Sequence, residues 1–143
     1  MFKNRRDAGQ QLAQALGDYQ NQADVLVLAI PRGGVEVAAQ VAQHLKADLS
    51  LVITRKLPLP HNTEAGFGAV AEDGSLYLHP RAADALPSQT VEVIINAQKQ
   101  EVARRIETLR KGEPLPSLEG RTVILVDDGI AMGSTMRATI ELC

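Results

Sequence analysis

The sequence predicts a three-layer α/β fold, a mostly parallel sheet carrying an antiparallel hairpin and a long helix. Three observations support this. The apolar runs at residues 25–30 and 123–126 show no alternation, as expected for strands covered on both faces of a parallel sheet. Each run is followed by a glycine-containing turn and then a helical pattern, the first half of a βαβ unit. Asp73-Gly74 lies between the short apolar runs 67–71 and 76–78, a hairpin signal.

A length of 143 residues bounds the chain to a single domain over residues 1–143, with the hairpin and helix elaboration at about 57–112. The 45% hydrophobic content is enough for a core, but aromatics make up only 3% and Trp is absent, so Val, Ile, Leu and Ala must fill it. A net charge of -2 disfavours nucleic acid as a partner, because phosphate backbones call for a basic face. The one cysteine, Cys143, excludes an internal disulfide and fits a reducing compartment. No apolar run approaches a membrane span and the N-terminus lacks a signal-peptide core, so a cytoplasmic, membrane-free protein is expected.

In chain order, residues 1–17 read as a helix whose apolar face is Ala8, Leu12, Ala15 and Leu16. Arg5 and Arg6 stand near its start, against the helix dipole. Two solvated arginines are the plain reading, and a phosphate or subunit contact is the alternative. The first buried strand ends in Pro31-Arg32-Gly33-Gly34, and a helix with the face Val35, Ala38, Ala39, Val41, Ala42 and Leu45 follows. Paired glycines let a ligand approach the backbone, and Arg32 adds a forked cation, a combination suited to a pyrophosphate.

Residues 49–54 are a second parallel-strand candidate, followed by Arg55 and Lys56, which at a strand end would face the ligand edge. The proline-rich residues 57–66 read as a long lid-like loop, in which His61 is assigned no chemistry. Glu64 and Glu72 could face a site, though nothing local requires it. Residues 88–111 read as one helix, N-capped by Ser88 and stopped by Gly112. Its narrow stripe of Val91, Ile95, Val102, Ile106 and Leu109 is broken by Gln98, which implies partial exposure or a partner. Arg104, Arg105, Arg110 and Lys111 read as a solvated, dipole-matched end.

The densest chemistry lies at residues 123–135. Four apolar residues lead to the carboxylates Asp127 and Asp128, then to a small-residue loop ending in Gly133-Ser134-Thr135 at a helix start. Such a loop suits a phosphate, and the acidic pair suits hydroxyls or a metal held through water. Phosphate and hydroxyls together describe a sugar phosphate.

This stretch resembles the 5-phosphoribosyl-1-pyrophosphate (PRPP) loop of type I phosphoribosyltransferases, in Asp127, Asp128, Ile130, Gly133, Ser134 and Thr135. The resemblance implies that Asp127 and Asp128 contact the ribose hydroxyls. Ala131, Met132, Gly133, Ser134 and Thr135 would hold the 5′-phosphate. Arg32, Gly33, Gly34, Arg55 and Lys56 would serve the pyrophosphate, often with a cis peptide before the basic residue, here Pro31–Arg32. It also implies Mg²⁺ carried with PRPP, with no direct protein ligand beyond water-mediated Asp127 and Asp128. The implied reaction transfers a phosphoribosyl group to an unidentified acceptor, such as a nucleobase, and releases pyrophosphate. No catalytic base is assignable.

Gly129, Ala131 and Met132 depart from the usual pattern, and the lack of a carboxylate at Ala131 disfavours the purine-specific subclass. Bacterial phosphoribosyltransferase-domain proteins of this kind continue well past the length seen here. On that reading the chain is C-terminally truncated, or its core is completed by another chain, and the open sheet edge implies homo-oligomerisation. Two other functions remain open from the residues: a non-catalytic PRPP or nucleotide-binding regulatory domain (or an inactive fragment), and a receiver-like phosphoacceptor. The latter would need a further strand-end Asp, where Ile30-Pro31 stands.

Overall fold

The computed structural model describes residues 1–143. The chain divides into two compact units, Met1–Val52 with Pro114–Ile130, and Ile53–Glu113 with Ala131–Cys143.

The first unit holds the parallel sheet. Its strands are β1 (Val25–Ala29), β2 (Asp48–Leu51) and β6 (Thr122–Val126), in the order β2-β1-β6. All five residues of β1 are buried, as its unbroken apolar run requires. Helices α1 (Arg5–Ala15) and α2 (Gly33–Leu45) complete the unit, and Val37, Ala38, Val41 and Leu45 of α2 pack with Val27, Ala29 and Val126. Arg121 closes the lower end of the sheet: its Nη2 donates to Asp48 Oδ2 at 2.8 Å.

The buried face of α1 differs from the expected one. Gly9 and Ala13 are the buried positions, and Leu12 is among the exposed large hydrophobics. The reason is close helix packing. A Cβ on Gly9 would lie 2.7 Å from the Val37 carbonyl oxygen and 2.8 Å from Gln40 Cβ, so the interface has no room for leucine there.

The second unit is built on an antiparallel sheet of β3 (Thr54–Leu59), β4 (Asn62–Ala71) and β5 (Leu76–Leu78), with β4 central. The hairpin around Asp73-Gly74 forms as its sequence requires, with Gly74 at φ 92 and Ser75 N donating to Asp73 Oδ1. Residues 57–66 are not a lid-like loop. They are mostly the paired ends of β3 and β4, which turn at Pro60-His61. Proline cannot donate to a ladder, so Pro58 argues against a strand in the sequence. It is accommodated because β3 is an edge strand whose register shifts at Leu57/Pro58 and Pro58/Leu59.

Helices α3 (Pro80–Asp84), α4 (Ser88–Arg110) and α5 (Ser134–Leu142) belong to this unit. The narrow stripe of α4 covers Ile53, Leu57, Phe67 and Val70. Gln98 interrupts it for a local reason: its Oε1 accepts from Arg55 Nε at 3.2 Å. Ser88 is the first helical residue rather than the cap, which is Pro87, and the helix ends on Lys111 at φ 54 just before Gly112 at φ 76. Ala138 of α5 packs with Ala69 and Ala71. No helix is long and apolar enough to cross a membrane.

Candidate functional site

The geometry of the site follows from the register of two parallel strands. Ala29 is opposite Val126, and Ile30 N donates to the Val126 carbonyl at 2.9 Å. The chains leaving the C-terminal ends of β1 and β6 therefore emerge side by side. One leads into Pro31-Arg32-Gly33-Gly34 and the other into Asp127-Asp128. Ligands of open α/β sheets bind at this edge. The Pro31–Arg32 peptide is cis.

A side chain at either glycine would run into the neighbouring strand end, its backbone at Gly34 and its side chains at Gly33. A Cβ on Gly34 would lie 2.8 Å from the Val126 carbonyl oxygen and 3.0 Å from Asp127 Cα. One on Gly33 would collide with the Asp128 carboxylate. The start of α2 is thus pressed against the acidic pair, with its first amides at the same strand ends.

The two carboxylates are held differently. Asp127 is half-buried, and its Oδ1 accepts from Asp128 N at 2.8 Å. Burial pushes its pKa up to about 6, in spite of that amide and with some help from the neighbouring Asp128 charge. Asp128 is held below the usual carboxylate range, chiefly by the Arg5 guanidinium. Arg5 Nε and Nη2 both donate to Asp128 Oδ2, at 3.0 and 2.8 Å. Of the two arginines at the helix start, Arg5 therefore has a partner in its own unit. The sequence signalled this only by placing a cation against the helix dipole.

Arg32 is exposed beside this pair of loops. Arg55 and Lys56 lie elsewhere in the fold than expected. They are inside β3, an antiparallel strand, and not at the end of a parallel one. Arg55 is engaged with Gln98, and Lys56 Nζ donates to the Glu64 carbonyl at 2.8 Å. Glu72 has a structural role: its carboxylate accepts from Arg110 and from Ile53 N. Arg110 is accordingly not solvated.

Of the expected 5′-phosphate loop, Ala131 and Met132 are exposed and Gly133 adopts φ 80 as the residue before α5. Ser134 and Thr135 open that helix, where first-turn amides have no intrahelical acceptor. Thr139 ties this turn down by donating to the Thr135 carbonyl at 2.8 Å. No group of three or more His, Cys, Asp or Glu is placed to hold a metal ion. Two adjacent carboxylates, one already paired with Arg5, fit an ion that arrives with a phosphate ligand better than one caged by protein.

The model of the phosphoribosyl transferase domain matches residues 3–143. The chain belongs to this family. Two Mycobacterium tuberculosis proteins provisionally named phosphoribosyl transferases, from strains CDC 1551 and H37Rv, are each 40% identical over 144 residues, covering 99% of this chain. The chain spans 32%, about a third, of the length of those relatives. The crystal structure of TT1426 from Thermus thermophilus matches with a TM-score of 0.75 at 39% identity, over 99% of this chain and 67% of that one. The α/β fold, with its parallel and antiparallel sheets, is thus the phosphoribosyltransferase-type fold.

Proposed function

We propose that this phosphoribosyltransferase-family chain binds PRPP with Mg²⁺ and transfers its 5-phosphoribosyl group to an acceptor, releasing pyrophosphate. The observation that carries this reading is the Ala29–Val126 register, which sets Arg32-Gly33-Gly34 beside Asp127-Asp128.

In this reading Asp127 and Asp128 accept hydrogen bonds from the ribose hydroxyls. Their negative charge lies near the ring that becomes oxocarbenium-like as the anomeric bond to pyrophosphate breaks. The Gly33 and Gly34 amides and Arg32 receive the charge that develops on the leaving group, and such preorganised donors act most strongly on charge that grows in the transition state. The resemblance adds Arg55 and Lys56 as further cations for pyrophosphate. It also assigns Ala131, Met132, Gly133, Ser134 and Thr135 to the 5′-phosphate, where remote binding energy orients the reacting carbon. Mg²⁺ bound to the pyrophosphate would neutralise part of its charge, with Asp127 or Asp128 reached through water. The acceptor is a nucleophile such as a nucleobase nitrogen.

Calorimetric titration of the full chain with PRPP and Mg²⁺ tests the reading, repeated with Asp127→Asn plus Asp128→Asn. Saturable binding that the double variant loses supports it, and pyrophosphate release with one of a panel of nucleobases extends it to transfer. A folded wild-type chain that does not bind PRPP overturns it.

A further inference from the structure

The Arg5–Asp128 pair has a geometry that neither ribose recognition nor fold stability requires. Both Arg5 donors go to one oxygen, Asp128 Oδ2, instead of bridging the two oxygens of the carboxylate. A guanidinium carries five N–H groups, so three remain for another acceptor, and Asp128 keeps Oδ1. The pair is open to solvent, with side-chain exposures of 55% for Arg5 and 34% for Asp128. A surface pair of this kind adds little stability.

The position of Arg5 is nevertheless well fixed. Asn4 caps α1 by accepting from Asp7 N at 2.8 Å, and Asp7 in turn accepts from Lys3 N at 2.9 Å. The helix is locked to α2 by the close approach at Gly9. The guanidinium reaches the start of α2 itself: a Cβ on Gly33 would lie 3.0 Å from Arg5 Nε. Arg5, Asp128 and Gly33 therefore meet at one point.

We propose that Arg5 is a pyrophosphate-binding residue, a guanidinium that Asp128 orients so that its free N–H groups meet the same phosphate oxygens as the Gly33 and Gly34 amides. The inference rests on the PRPP reading above. It resolves a conflict within that reading: a carboxylate beside a polyanion is repulsive, and Arg5 cancels the Asp128 charge on the side facing Gly33. The other oxygen, Oδ1, is left for a ribose hydroxyl. The helix start is also the place where a cation is least favoured by the backbone dipole, so Arg5 stands there at a cost that a bound anion would offset.

The test compares ligands with and without the pyrophosphate. PRPP, inorganic pyrophosphate and ribose 5-phosphate are each titrated, with Mg²⁺, into wild type, Arg5→Gln, Arg5→Lys and the neighbouring Arg6→Gln. The inference expects Arg5→Gln to weaken PRPP and pyrophosphate about tenfold to a hundredfold, the range for a lost charge-assisted hydrogen bond, with ribose 5-phosphate nearly unchanged. Arg5→Lys should recover part of the loss, and Arg6→Gln should bind as wild type. Equal weakening of all three ligands makes Arg5 a structural residue and overturns the proposal. Tighter binding by Arg5→Gln, as for a plug removed from the ribose site, overturns it as well. In both cases wild-type binding of PRPP leaves the PRPP reading standing, whereas failure of wild type to bind PRPP removes both. Thermal melting of each variant identifies a folding defect, and Arg5→Lys, which keeps the charge, carries the comparison if Arg5→Gln does not fold.

Discussion

Glu72 and Arg110 form a two-point ion pair from which water is almost excluded. The Arg110 Nη1 and Nη2 donate to Glu72 Oε2 and Oε1 at 3.0 and 2.7 Å, and both side chains are only 8% exposed. The pair joins the end of the hairpin strand β4 to the last turn of α4, and Glu72 Oε2 also accepts from Ile53 N at 2.7 Å. Truncating one side of such a pair strands a buried charge.

Glu72→Ala should therefore destabilise the chain by about 3–5 kcal/mol, a large share of a typical domain's stability. The double variant Glu72→Leu plus Arg110→Met should recover part of this, because no charge is left unpaired. It should still fall about 1–3 kcal/mol short, because the Ile53 amide loses its acceptor. Urea unfolding followed by circular dichroism measures both. Full recovery in the double variant would mean that the amide contact carries no weight.

The acidic pair gives a prediction in pH. Asp127 ionises near 3.8 in the unfolded chain and at about 6 in the folded one, because burial disfavours its charge. Between these values the folded state holds the extra proton, so raising the pH through the window removes stability. Asp127→Asn keeps the Oδ1 acceptor for Asp128 N and cannot ionise. It should be more stable than wild type at pH 7, and this advantage should shrink towards pH 4. A constant difference across that range would mean that the carboxyl is not desolvated. If the carboxylate is what binds ribose, PRPP affinity in wild type should also fall as pH drops below about 6, by an extra component that Asp127→Asn lacks.

The elements that reached the structure as the sequence predicted are those decided by local signals. Unalternating apolar runs made β1 and β6, Asp73-Gly74 made the hairpin, and the Lys111-Gly112 region stopped α4. What was not legible depended on packing partners. The buried face of α1 differs from its hydrophobic pattern because Gly9 and Ala13, not the larger leucine, set a close helix contact. Residues 57–66 pair as strands although Pro58 is a strand breaker, because β3 is an edge strand. Arg110 looked solvated because its partner, Glu72, is 38 positions away. In the candidate site, the acidic pair Asp127-Asp128 and the Arg32-Gly33-Gly34 turn stand out as candidates from their residue types alone. The partner of Arg5 lies 123 positions away, and the sequence hints at it only by a cation set against the helix dipole.

The glycine at the start of α2 can be tested separately from the charges. A Cβ at Gly34 would meet the Val126 carbonyl oxygen at 2.8 Å and Asp127 Cα at 3.0 Å, both backbone atoms of a strand end that cannot rotate aside. Gly34→Ala should therefore cost about 1–3 kcal/mol of stability, as overpacking does. Because the displaced atoms lead directly into Asp127, PRPP binding should also weaken in a variant that is still folded. The same substitution at Gly17, where a Cβ meets nothing within 4 Å, should do neither. Parallel melts and titrations of the two variants check this, and a Gly34→Ala chain as stable as Gly17→Ala would show that α2 can shift away from the strand.

A hydroxyl pair fixes the helix assigned to the 5′-phosphate. Thr139, fully buried, donates to the Thr135 carbonyl at 2.8 Å, and its oxygen lies 2.8 Å from Thr54 Oγ1 on β3. Since the Thr139 proton is committed to Thr135, Thr54 is the donor of the second bond. Thr139→Val preserves shape but leaves the buried Thr54 hydroxyl without an acceptor, which should cost about 1–3 kcal/mol. Thr54→Val plus Thr139→Val removes both polar groups and should be milder than the single change, because neither hydroxyl is left unsatisfied. Thr54→Val alone should be milder still, since Thr139 keeps its bond to Thr135. Chemical denaturation of the three variants gives the order directly, and a double variant less stable than Thr139→Val would mean that the hydroxyl pair contributes more than the avoidance of an unpaired donor.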